Sequence, residues 1–381
     1  MNIWHRAWSK MVLLTCCLFL WGNDTCLAEE DMTKLQEEMI ENLELQEAEH
    51  AVQQLLEDDI SFLDMIKNLV SEGQAFDRQT WEQIGKNIVQ EVIGIQKDIF
   101  LQILLLILLA ALCTNLSHVF SNQQISETAF YMCYMIMFVL LLKSVTRFSE
   151  EIHGALQQSV AFMRVLLPSY YLAVTVSTGN ATATVLYQMI MGVIVIAEQI
   201  ILKLLLPGIR FYFLIDLINH VTKEELLSKM AELIKNIIDW SLKTILGGVI
   251  GIQFIQRLLT PAIDALKRTA LGKTAGAIPG IGNIFEGVAE IVLGSAILIK
   301  NCLGIGMTII LLLLAVYPVI RIGVSALSYQ FLSAVLQPIA DKRMISCVYS
   351  MGQCLILHLR IILTVEVMFL LTVILLVGTF G

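Results

Sequence analysis

The sequence predicts an all-α fold: a polytopic helical bundle in a membrane, preceded by an exported helical region. Three observations carry this. Hydrophobic residues make up 57% of 381 positions and charged residues 15%, with a mean hydropathy of +0.75, whereas soluble domains carry roughly 25% charge. Apolar stretches near the roughly 20 residues that cross a bilayer recur along the chain. Roughly half of the 33 acidic residues fall between Glu29 and Asp98, so the formal net charge of −8 is a local property. The remainder is nearly balanced and offers no basic surface for nucleic acid.

The chain opens like a secretory signal, residues 1–28. His5, Arg6 and Lys10 form a basic start, "MVLLTCCLFLW" a short apolar core, and Cys26-Leu27-Ala28 a cleavage-like end. An uncleaved first helix is the alternative, but roughly 11 apolar residues are short for a span. An acidic, extracytoplasmic helical region follows at 29–98. Leu35, Met39, Leu43, Val52 and Leu56 recur there at helical intervals, a narrow stripe suited either to a partner helix or to packing within the region. Thr80 and Gln83 have capping-box spacing and start a helix directed at the membrane.

The multi-span domain occupies 99–381. Clear spans are expected at about 99–119, 129–148, 184–206, 240–259, 303–320 and 361–377. Interrupted or amphipathic pieces lie at 160–178, 210–221, 285–301 and 324–338, giving six to nine spans in all. "KEELLSKMAELIKNIIDW" is a separate amphipathic helix at the interface, started by Thr222 and Glu225. Lys267, Arg268 and Lys273, and likewise Lys342 and Arg343, favour cytoplasmic loops.

An offset of 111 positions superposes Pro168 on Pro279 and Pro207 on Pro318, and lays Ile209-Arg210 over Ile320-Arg321, so that "PGIR" matches "PVIR". These matches suggest repeats at 129–239 and 240–350. Duplicated, Pro-broken halves commonly enclose a pathway or site at their interface.

The stretch "ALGKTAGAIPGIGNIFEG" carries Gly272-Lys273-Thr274, but Lys267 stands where a phosphate-binding loop needs its first glycine, and no strand precedes it. No nucleotide is expected there. Pro279, Gly280 and Gly282 instead read as a break in the helix, re-entrant or interfacial. Lys143, Glu198, Lys203, Asp216, Lys300 and Glu366 are ionisable residues in apolar segments and should face other helices, water or the interface. Glu198 and Lys203 make a loose pair; Arg210 and Asp216 flank one amphipathic stretch; Asp216 and His220 form an interfacial polar pair. The cysteines contain no C-x-x-C and read as buried free thiols. No catalytic or metal constellation and no cofactor is expected.

The segment beginning "IPGIGNIFEG" resembles the stage III sporulation protein AE family. Leu298-Ile299-Lys300-Asn301 with Gly304, then Pro318, then Gln337-Pro338-Ile339 with Asp341 and Arg343 match its order of motifs. "LLPSYYLAVTVSTGNATA" resembles its middle region, and the likeness extends over nearly the whole chain. The resemblance implies a non-enzymatic subunit of the complex that joins mother cell and forespore after engulfment. It implies partners among the other products of the same eight-protein operon and on the forespore side, with an ATPase on another subunit. A secondary transporter with its site at the repeat interface is the alternative. Pro168, Pro207, Arg210, Pro279, Gly280, Gly282, Lys300, Asn301, Pro318, Arg321, Pro338, Glu198 and Lys203 are the structural or pathway candidates.

Overall fold

The computed structural model describes residues 45–56, 61–88, 123–178, 182–221, 226–271, 282–338 and 340–379, with 90, 94, 105, 106, 108 and 112. The expected signal segment, most of the span expected at 99–119, the Gly272-Lys273-Thr274 stretch, and Pro279 with Gly280 lie outside them.

All regular structure among the described residues is helical. We number the helices α1 (Gln46–Leu56), α2 (Phe62–Ser71), α3 (Gln123–Thr178), α4 (Thr182–Ile200), α5 (Leu206–Val221), α6 (Ser228–Leu271), α7 (Gly282–Leu336) and α8 (Lys342–Thr379). A π turn, Ile201–Leu205, joins α4 to α5. Five stretches among the described residues are long and apolar enough to cross a membrane: Glu127–Thr175, Met189–Val221, Ser228–Ile255, Gly294–Leu336 and Lys342–Ile374.

Segments expected as separate pieces are therefore fused. Between the apolar runs 129–148 and 160–178, the buried positions Val145, Phe148, Ile152 and Leu156 stay three or four apart, so one core-facing stripe carries α3 through its polar middle. At 1.5 Å per residue this 56-residue helix is about 84 Å long. Pro168 and Pro318 lie inside α3 and α7 without ending them. Each deletes one hydrogen bond, to the carbonyl four residues back, which neighbouring helices can compensate when they flank it closely. Pro207 acts differently. Its missing N–H leaves the preceding turn without its ordinary partner, and that turn is wound as π, with Leu206 N–H donating to the Ile201 carbonyl.

The helix expected at the interface proves to be the start of α6. Residues 222–225 lie outside the described set; Asn219 Oδ1 accepts from Leu227 N–H at 2.7 Å just before α6 begins. Nor does Thr80 begin its helix. Asp77 is the cap, its Oδ1 accepting from Thr80 N–H at 2.8 Å and from the Thr80 hydroxyl at 2.5 Å. Those two bonds hold the Asp77 carboxyl below its ordinary pKa.

Helix α8 is the axis of the bundle, packed on α3, α5, α6 and α7. Pairings that advance together along both chains show that α3 and α6 run parallel to it. α7 returns antiparallel: a Cβ on Gly352 would meet Gln330, and one on Gly304 would meet Val377. The acidic region is docked on this bundle. α2 buries Phe62, Met65 and Ile66, the last two against the bare backbone of Gly306, and α1 packs on α2 and α3.

One topological expectation fails here. Because α6 and α8 are parallel, Lys267 and Arg268 at the end of α6 lie toward the opposite end of the bundle from Lys342 and Arg343 at the start of α8. The two basic clusters cannot both mark the cytoplasmic side of one membrane.

Candidate functional site

The polar residues of α8 recur along its buried faces: Cys347, Cys354, His358 and Glu366 toward one side, and Arg360 and Thr372 toward α6. All but Cys354, which contacts His358 on its own helix, reach a partner on another helix, so the interior of the bundle is laced in layers.

In the first layer the Tyr134 hydroxyl on α3 lies 2.8 Å from the Leu217 carbonyl on α5 and 2.8 Å from Cys347 Sγ. Arg343 stacks its guanidinium 3.7 Å from the Phe130 ring centroid nearby, where Asp341 also pairs with it. The second layer is the most charged. Ser149 Oγ meets His358 Nε2 at 2.8 Å, while His358 Nδ1 lies 3.0 Å from the Cys354 carbonyl. Two residues on, Glu151 Oε1 lies 2.9 Å from Arg321 Nε on α7, a charge contact without hydrogen-bond alignment; Arg321 also donates to the Tyr317 hydroxyl at 2.7 Å. Arg360 grips both oxygens of Asp239 on α6, at 2.8 and 2.7 Å. Arg210 reaches toward the same level from α5, within electrostatic range of His358, its Nε buried without a hydrogen bond.

The third layer joins Ser159 Oγ, donating to Glu366 Oε1 at 2.8 Å, to an Arg164–Glu198 pair between α3 and α4 and a Gln253–Thr372 contact between α6 and α8. Glu366 Oε2 is buried without a partner. A small recess lined by Leu156, Val160, Glu198, Ile201 and Phe369 lies in this layer, against the π turn.

Several expected residues thus converge and others do not. Arg210 and Arg321, aligned in the 111-residue offset, both lie at the level of the second layer. Glu198 pairs with Arg164, and the Glu198–Lys203 pairing is overturned: the π turn leaves Lys203 exposed while Glu198 faces α3. His220 Nδ1 contacts the backbone carbonyl of Asp216 at 2.6 Å, not its carboxylate. Lys300 is fully buried, and Asn301 beside it keeps a buried Oδ1 without a hydrogen bond. Pro168 stands exposed on α3, Gly282 opens α7, and Pro338 lies in the turn after α7. Cys133, Cys302, Cys347 and Cys354 are buried and free. Among the described residues no three His, Cys, Asp or Glu side chains gather closely enough to hold a metal ion.

Sequence reasoning missed Ser149, Glu151, Ser159, Asp239, His358 and Arg360. The available signal was the spacing of Cys347, Cys354, His358 and Glu366, which recur at seven, four and eight residues and so share one helical face. Buried in apolar surroundings, such contacts are worth roughly 0.6–1.7 kcal/mol each, but an orphaned partner costs more. They fix the rotation and register of α3, α6, α7 and α8 against one another.

A family profile described as Stage III sporulation protein AE matches residues 60–379. The chain is 24% identical over 311 residues to "Stage III sporulation protein AE" of Bacillus subtilis (strain 168), covering 81% of this chain and 77% of that one. No solved structure matches it.

Proposed function

This chain belongs to the stage III sporulation protein AE family, and from that premise we propose that it is a non-enzymatic membrane subunit of the channel or secretion-like complex joining mother cell and forespore after engulfment. Membership carries a role in sporulation, and the five apolar helices make the protein multi-pass. The finer reading rests on one observation: a largely apolar bundle keeps ion pairs and hydroxyl–carboxylate contacts in layers between its helices. Charges that costly inside a membrane protein mark pathways or moving contacts in general.

The subunit sits in the mother-cell membrane around the forespore. The end bearing Lys342 and Arg343 faces the mother-cell cytoplasm, and the acidic α1–α2 region, at the other end, faces the intermembrane space. Its partners are the other products of its operon and a forespore-side protein, and another subunit supplies ATP hydrolysis. Deleting the chain in its spore-forming host tests this. The expected result is arrest after engulfment with normal vegetative growth; normal spore yield, or a defect confined to vegetative cells, would overturn it.

A further inference from the structure

The outward side of α3 breaks the pattern of its neighbours. Lys143, Arg147, Glu150, Gln157 and Arg164 are all exposed and, with Gly154 and Ala161 between them, fall three or four residues apart on one face. From Lys143 to Arg164 the face rises through 21 residues, about 32 Å, close to the hydrocarbon thickness of a bilayer. Above and below it the same face turns apolar, with Leu172 at one end and Met132, Ile136 and Val139 at the other.

Other helices fix what surrounds this stripe. Arg164 pairs with Glu198 on α4 and Tyr134 with the Leu217 carbonyl on α5, so residues 198–217 descend beside it. In that layer α5 and the π turn expose Leu204 and Phe211 outward. Through Ser149–His358 and Arg360–Asp239, α6 is aligned at the same height, and there it exposes Ile237 and Trp240. This slab therefore presents largely apolar faces on two sides, interrupted by the exposed Lys203 and Lys243, and on a third a face of five polar side chains spaced by Gly154 and Ala161. Lipid solvates the first two. It cannot solvate a stripe bearing three cations, an anion and an amide without a cost of several kcal/mol per charge.

Resting on the channel reading above, we propose that the outward stripe of α3 lines a water-filled passage, the remaining wall being supplied by neighbouring subunits of the assembled complex. Water is the occupant that fits, because the stripe mixes both charge signs with amides and small residues over the full thickness of the layer.

The test places single cysteines in the full-length chain, expressed in its sporulating host, and times their reaction with a membrane-impermeant, anionic thiosulfonate. The unsubstituted chain, with its own eight cysteines, sets the background; the four described ones are buried. Gln157→Cys and Ala161→Cys, which touch no ion pair, are read against Leu204→Cys and Ile250→Cys, exposed apolar positions that the Arg164–Glu198 and Gln253–Thr372 contacts set at about the same height. Labelling at least about tenfold faster on α3 than at the two lipid-facing controls is expected, given the exclusion of charged reagents from hydrocarbon. Equal and fast labelling at all four would place the layer outside the membrane and overturn the proposal. Slow labelling at all four, with spore formation intact, would show the stripe sealed against a partner and overturn it too. Neither failure touches the deletion phenotype, on which the sporulation reading stands.

Discussion

Removing either partner of the Glu151–Arg321 contact gives a quantitative test of the layered interior. The two groups approach to 2.9 Å with side chains about four-fifths buried. At an effective dielectric of about 20 their attraction is roughly 6 kcal/mol before desolvation is counted. Desolvation offsets most of that, leaving a net coupling of roughly 1–2 kcal/mol. The single variants lose more than the coupling, because each strands an opposite charge between α3 and α7; a cost of roughly 2–4 kcal/mol is expected for Glu151→Ala or Arg321→Ala. The double variant strands neither and should lie closer to the native protein than the sum of the singles. Unfolding of the purified protein in detergent, followed by intrinsic tryptophan fluorescence, measures all four corners of the cycle. Single effects that simply add, to within roughly 0.5 kcal/mol, would refute the reasoning and show the contact to be screened by water.

Three other outcomes follow from separate parts of the fold. Gly352→Ala sets a Cβ 2.9 Å from Gln330 Cγ and 3.4 Å from the backbone of α7, so it should cost roughly 1–3 kcal/mol of stability by pushing α8 from α7; a melting temperature unchanged in detergent would contradict that packing. Pro207→Ala restores an N–H that favours α over π winding and turns Glu198 away from Arg164; an unaltered effect of Arg164→Ala in the Pro207→Ala background would show that the π turn does not set this pair. Asp77 caps the helix at 78–88 as a carboxylate held below its ordinary pKa of 3.8 by Thr80. A depressed native pKa means that the cap stabilises above the ordinary value and loses its effect as pH falls through the native one. Hydrogen exchange in residues 78–88 should therefore quicken in that acid range, and Asp77→Asn should remove the dependence.

The class of fold was legible because burial in lipid demands a composition that no soluble domain has, and the apolar runs announced it without any need for register. Helix continuity was not. The polar stretch around Arg147 and Glu150 looks like a loop when averaged, yet Val145, Phe148, Ile152 and Leu156 carry the core stripe through it. Of the prolines read as breaks, Pro168 and Pro318 sit inside uninterrupted helices, while Pro207 reshapes the turn before it. Arg210 and Arg321 were legible through the 111-residue offset, and the structure brings both to the layer of His358. Their partners were not, since Glu151 lies 170 positions from Arg321 and nothing local in either sequence names the other. Glu198 was paired with Lys203 by proximity along the chain, but a π turn between them sent one inward and the other out. Sequence distance, in short, says little about which charges share a layer once helices of about 84 Å lie side by side.

Alkaline carbonate extraction of membranes from sporulating cells bears most directly on the premise that lipid solvates this bundle. Retention of the full-length chain in the membrane pellet, with release only by detergent, is the predicted result. Appearance of the intact chain in the carbonate supernatant as a dispersed species would contradict it, since Leu204, Phe211, Ile237 and Trp240 would then have water, not hydrocarbon, around them.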